Sequence, residues 1–193
     1  MTSARPLLDG AVKWLLARQN PEKSTSCFPS VVMDDEDSRR SHARVSWCYG
    51  DLGISVALLW AARSVGEASW EDEAIRIGRH AARRTLEHSG MIDAGLCHGA
   101  AGNAHLFNRL YQATRDEAFL EAARFWLERT LALRKENAGL AGFLTWDPLG
   151  GGKWVAEPGL LEGVTGIGLA LLAAVDSMSP EWDRMLLVSV PPR

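Results

Sequence analysis

Gly50-Asp51-Leu52-Gly53-Ile54, Gly99-Ala100-Ala101-Gly102-Asn103 and Gly163-Val164-Thr165-Gly166-Ile167 are three copies of one pattern, and the run of residues after each copy decides the fold. Ser55 to Ala62 carries no charged side chain, Ala104 to Leu110 carries only Arg109, and Gly168 to Val175 carries none. A helix that is apolar around its whole circumference is expected to be buried on every side. The segments between have another character. Trp70 to His88 interleaves Glu71, Asp72, Glu73, Arg76, Arg79, Arg83, Arg84 and Glu87 with Ala74, Ile77, Ala81, Ala82 and Leu86, the spacing of a helix with one wet face. Residues 116 to 134 repeat that design, with Phe119, Ala122, Ala123, Trp126, Thr130 and Leu133 as the apolar stripe.

Buried and amphipathic helices therefore alternate in a hairpin unit of roughly 50 residues, and two layers of helices are the simplest arrangement. An earlier amphipathic helix is expected near Pro6 to Gln19. Ser69-Trp70-Glu71-Asp72 and Thr114-Arg115-Asp116-Glu117 read as capping boxes, and Gly90 and Gly139 as left-handed helix ends. Asn20 to Ser46, with the acidic run Asp34 to Asp37, reads as a long loop. Residues 139 to 162 read as a second irregular stretch with room for a short hairpin.

Two of the glycine patterns are preceded by soft metal ligands, in Trp47-Cys48-Tyr49-Gly50 and Leu96-Cys97-His98-Gly99. Two thiols and an imidazole make three ligands, and three protein ligands with one open position are the mark of a catalytic rather than a structural zinc site. Cys48 and Cys97 lie 97 − 48 = 49 positions apart, so only the tertiary fold can unite them. On spacing alone, unrelated buried residues are the commoner reading of two scattered cysteines. Placed on the helices above, Cys48, Cys97 and His98 all fall just before the N-termini of inner helices. There the partial positive charge favours thiolate over thiol.

The ordered series Trp-Cys-Tyr-Gly, Cys-His-Gly, the successive Gly-x-x-Gly helix starts and the closing Gly159-Leu160-Leu161-Glu162-Gly163-Val164-Thr165-Gly166-Ile167-Gly168 resembles the lanthionine synthetase C-like family, from about residue 7 to the end. The resemblance implies an all-α fold, an α/α toroid with an inner and an outer ring of helices. It implies zinc held by Cys48, Cys97 and His98. The activity it implies is lantibiotic-type peptide modification: a cysteine thiol of a dehydrated precursor peptide adds to a dehydroamino acid, closing a thioether ring. Arg44 and Tyr49 correspond to family positions near the metal; Arg44 is a candidate to hold an enolate oxygen, the other reading being a solvated loop charge, and Tyr49 a candidate to orient substrate or pass a proton, the other reading being a packing role.

A complete cyclase of that family is about twice this length, and residues 1–193 correspond to the C-terminal half of its domain, a single domain truncated on its N-terminal side. The other half supplies a further histidine and an acidic residue with no counterpart here. The isolated chain is therefore expected to bind zinc with poor or absent cyclisation, its open ends inviting a second chain to complete the ring. Two other readings use the same residues: a zinc-dependent module binding glutathione or another small thiol, and a glycosidase-like helical toroid in which the cysteines are structural. Among the remaining histidines, His42 is expected on a surface loop, His80 and His88 on an exposed outer face, and His105 packed in the core. Cys27 reads as a free thiol.

Composition is consistent with one core of ordinary size. The 193 residues are 47% hydrophobic, the net charge is −3 and the pI near 6.0, which gives no basic footprint for nucleic acid. Pro6 and Asp9 break the only early apolar run, and no stretch approaches the ~20 apolar residues needed to span a bilayer, so the cytoplasm is the expected location. Three cysteines are too few for a disulfide scaffold.

Overall fold

The computed structural model describes residues 4–32 and 42–190; the acidic run Asp34 to Asp37 lies outside the described residues. Helix α1 (Arg5–Leu16) is followed by α2 (Asp51–Val65), α3 (Ala68–Ala82), the single turn α4 (Leu86–Ser89), α5 (Ala100–Thr114) and α6 (Glu117–Ala132). A two-stranded hairpin, β1 (Thr145–Asp147) and β2 (Lys153–Val155), precedes α7 (Val164–Val175) and a closing 3-10 turn (Glu181–Leu186). The strands are antiparallel, with Trp146 opposite Trp154.

The charge-poor helices α2, α5 and α7 pack side by side, while amphipathic α3 and α6 lie over α2 and α5. This is the two-layer arrangement expected from the alternation of patterns. Leu52, Val56, Leu59, Ile77, Phe107, Leu110 and Phe119 fill the space between layers, all fully buried or nearly so. Each such side chain contributes about 1.5–3 kcal/mol by leaving water. Gly78 lets α3 approach α2 closely, because a Cβ there would sit 3.0 Å from the Phe119 ring and 2.7 Å from Ser55 Oγ.

Several details depart from the pattern. Helices built on a charge-free run need not be covered on all sides: α2 leaves Trp60 exposed, and α7 leaves Leu172 and Val175 exposed. No described element covers those faces. Trp14 is likewise half-exposed, lying under the Arg18 guanidinium rather than in the core. Neither expected capping box forms. Helix α3 starts after Glu67 without a side-chain cap, and the α6 cap is Asp116, whose carboxylate accepts from Ala118 N–H at 3.1 Å. Thr114 instead ends α5 and accepts from Asp116 N–H. Gly90 has the left-handed φ of +73° that ends α4, but α6 stops at Ala132, well before Gly139.

The helix expected to run from Trp70 to His88 breaks after Ala82 because Arg84 turns inward. Its guanidinium, almost fully buried, donates to Ala43 O at 2.6 Å and to His88 O, and lies 3.7 Å from the Asp51 carboxylate. Asp51 is itself fully buried at the first residue of α2, where its oxygens accept from Cys27 N–H at 2.8 Å and Phe28 N–H at 3.0 Å. His80, expected on a solvated face, stands half-buried 3.8 Å from the same carboxylate. His105 is core, as expected, with Nε2 2.9 Å from Asp183 and its ring against Trp182.

The second glycine of each repeat sets how the preceding loop folds. A Cβ at Gly53 would lie 2.0 Å from Trp47 O, at Gly102 1.8 Å from Leu96 O, and at Gly166 1.9 Å from Leu160 O. In every copy the chain six residues earlier lies flat against the helix start, and only hydrogen at that position admits it. Gly102→Ala is therefore expected to force the Leu96 carbonyl off the helix and destabilise the fold by at least about 2 kcal/mol in urea unfolding, as overpacking at backbone contact does.

Candidate metal centre

The three loops that fold onto the glycines are laced together by main-chain hydrogen bonds. Trp47 N–H donates to Cys97 O at 3.0 Å, and Cys97 N–H donates to Leu161 O at 2.8 Å. Residues 47, 97 and 161, remote in sequence, thus lie side by side at one rim of the inner helices. Neighbouring side chains meet there: the donor atoms of Cys48, Cys97 and His98 all lie within 4.8 Å of one another. Cys48 is exposed, Cys97 buried and His98 partly buried, so the cluster is reachable from one side.

The same register holds a donor that the search for thiols and imidazoles passes over. Glu162 stands immediately before its N-cap glycine, as His98 does in the second copy and Tyr49 in the first. Its Oε2 lies 3.3 Å from His98 Nε2. Asp93, almost fully buried, completes a second group with His98 and Glu162, again with donor atoms within 4.8 Å. It also fixes local backbone, accepting from Gly95 N–H at 3.0 Å and Trp146 N–H at 3.1 Å. Extending the repeat to its third copy points to Glu162; Asp93 has no sequence signal.

A hydrogen bond from Cys97, aided by His98, holds the Cys48 thiol down to about 4 despite partial burial. The Cys97 thiol is pushed up by the Cys48 sulfur it faces and by burial. His98 is raised chiefly by the Cys48 sulfur beside it, against the effect of burial. Burial raises Glu162 although His98 opposes it. Two features fit the cluster to a soft divalent ion. His98 Nδ1 is buried with no oxygen or nitrogen partner, and its Nε2 faces a carboxylate, the arrangement by which an outer carboxylate orients a ligating imidazole.

A third group with donors within 4.8 Å, Cys27, Asp51 and His80, is less suited to a cation. The Asp51 oxygens already accept two main-chain N–H groups, and the Arg84 guanidinium stands beside them. Burial pushes the Cys27 thiol up to about 11, so it persists as a free thiol.

Arg44 stacks on Tyr49, the sequence neighbour of Cys48, with the guanidinium 5.8 Å from the ring centre. The Arg44 stem packs beneath Gly90, where a Cβ would meet its Cγ at 2.7 Å, and its backbone bridges to Gly50. Tyr49 is half-exposed. Beyond His98 opens a cavity of about 570 Å³ bounded by the hairpin and by residues 157 to 162.

The model of the family described as lanthionine synthetase C-like protein matches residues 3–187. Among curated proteins, Glutathione S-transferase LANCL1 of Danio rerio is 38% identical over 79 residues, 41% of this chain and 19% of that one. Probable SapB synthase of Streptomyces coelicolor is 43% identical over 82 residues, 42% of this chain and 8% of that one. Among solved structures, nisin cyclase superposes with a TM-score of 0.66 at 20% identity, covering 92% of this chain and 41% of that chain. The likeness shows the fold, an arc of an α/α toroid with α2, α5 and α7 on the inner ring and α3 and α6 on the outer. The chain spans less than half the length of each of these relatives.

Proposed function

Because the chain belongs to the lanthionine synthetase C-like family, we propose that it is a zinc-dependent, cyclase-like protein that readies a peptide cysteine for addition to a dehydroamino acid. The observation that carries this reading is the convergence of Cys48, Cys97 and His98 from two repeats, with His98 Nδ1 buried and unpaired. The donor set is two thiolates and an imidazole, with an open side toward solvent. When bound, zinc supplies a position at which a substrate thiol is held as thiolate at neutral pH.

The chain's own residues have separable tasks in this proposal. Glu162 fixes the His98 ring through Nε2, and Asp93 fixes the Gly95 and Trp146 backbone on either side. Arg44, stacked on the residue next to Cys48, is the cation assigned to an enolate oxygen, and Tyr49 braces its guanidinium. Addition of a thiolate to the β-carbon of a dehydroamino acid leaves an enolate that must gain a proton. The outward apolar side chains Leu172 and Val175 on α7 and Leu7 on α1 suit a ring completed by further hairpins or by a second chain. Similarity to Probable SapB synthase favours a peptide substrate.

A second reading, capture of a small thiol such as glutathione, draws on the similarity to Glutathione S-transferase LANCL1. One assay separates the two. Under the first reading a dehydrated, cysteine-containing peptide incubated with the zinc-loaded chain loses free thiol without a change in mass, slowly for an arc that is less than half of a ring. An unchanged thiol count, with zinc-dependent binding of glutathione in a calorimetric titration instead, supports the second reading.

A further inference from the structure

The cavity next to His98 has a lining of two characters. Its apolar members are Trp146, Pro148, Val155 and Leu161, with Leu149 at the hairpin tip 98% exposed. Its acidic members, Asp147, Glu157 and Glu162, are interleaved with them. Among the described residues no lysine or arginine lines it; Lys153 stands opposite Asp147 in the strand register but outside the lining. The walls are held in place. Thr145 Oγ1 donates to Glu162 O at 2.6 Å, Trp146 N–H donates to Asp93, and the Trp146 and Trp154 rings meet edge to face at 5.5 Å. Asp147 accepts from Leu149 and Gly150 N–H, and Glu157 Oε1 from Gly159 N–H, so both carboxylates are fixed in position by the turns they close.

From this charge and shape we infer that the cavity is a subsite for the residues flanking the reacting cysteine, taking an apolar side chain next to a basic one. The inference rests on the proposed thiol chemistry for its location, since His98 is shared by the cavity and the candidate metal centre. It goes further in naming the substrate class: a neutral-to-cationic, apolar peptide segment. An anionic thiol such as glutathione, with two carboxylates, meets like charge here. Fixed carboxylates around a partly enclosed cavity act over a short range and are weakened by salt.

The test uses four fluorescein-labelled hexapeptides that differ only at a Lys-Leu or Glu-Leu pair beside either Cys or Ser, titrated into the zinc-loaded chain and followed by anisotropy. Lys-Leu peptides are expected to bind at least about tenfold more tightly than Glu-Leu peptides in low salt, in the Cys and Ser series alike. The ratio should shrink in about 0.5 M salt. Glu157→Gln, which keeps an oxygen for Gly159 N–H, is expected to cut the ratio about threefold. Leu149→Ser, at a solvent-facing tip and thus safe for folding, should weaken all four peptides. Equal binding of the two charge types, or tighter binding of Glu-Leu, overturns the inference. The metal reading is scored separately by the Cys-over-Ser advantage: its absence with the charge preference intact sinks the thiol chemistry and leaves the subsite standing.

Discussion

Cys97→Ala is expected to lower zinc affinity by two to three orders of magnitude in competition with a chromogenic chelator, and to leave the purified chain without bound metal. Binding of roughly 10–16 kcal/mol shared among the four ligands of a structural zinc site gives about 2.5–4 kcal/mol for each, and each 1.4 kcal/mol is tenfold. Cys97 is the central strand of the lacing between loops: its thiol faces Cys48, while its main chain binds Trp47 and Leu161. Glu162→Gln tests a smaller effect, about 10–100-fold, because it removes the carboxylate that orients His98 and no ligand. Cys27→Ala is expected to retain full zinc stoichiometry, since its sulfur belongs to the group crowded by Arg84. Loss of metal in Cys27→Ala with retention in Cys97→Ala would reverse the assignment. A cobalt-substituted chain adds a readout independent of affinity, as the thiolate-to-cobalt absorption should weaken in Cys97→Ala and persist in Glu162→Gln.

The donor triple was legible because the chain repeats. Each Gly-x-x-Gly start fixes where the preceding loop lies, so a thiol two residues before the N-cap glycine in one copy falls beside its counterpart in the next. The same logic extends to the third copy, where Glu162 occupies the offset of His98 although it is no soft ligand. A carboxylate there is visible through register, not through ligand type. The inner and outer layers were legible from charge alone. Arg84 was not, because a helical wheel puts it on the wet face of a helix that in fact ends two residues earlier. What draws it inward is Asp51, 33 positions away, and long-range pairing of buried charges leaves no periodic trace.

That pairing supplies the other large effect. Asp51→Ala is expected to destabilise the fold by about 3–5 kcal/mol, a fall of roughly 10 °C in melting temperature for a chain of this size. The substitution strands the Cys27 and Phe28 N–H groups and leaves the Arg84 guanidinium buried without its carboxylate. Asp51→Asn separates charge from shape through pH. Burial raises the Asp51 pKa above its unfolded value even though the two N–H donors and Arg84 pull it down. Between the unfolded and folded values the native state binds more protons, so this group's contribution to stability falls as pH rises through that window and is then constant. This slope is opposite to that of Glu73, whose pKa is lowered by Arg76 and whose contribution is lost as pH falls. Urea midpoints from about pH 4 to pH 7 therefore need to be compared as wild type minus Asp51→Asn, which cancels Glu73 and every other group the two proteins share. The difference is expected to favour wild type most at the acid end. A difference that grows toward neutral pH would mean that the Arg84 pairing outweighs the cost of burying the carboxylate. Asp51 lies three residues after Cys48, so the unfolding of this anchor and the loss of metal are expected to run together in Asp51→Ala but not in Cys97→Ala, where the fold persists and only the ion leaves.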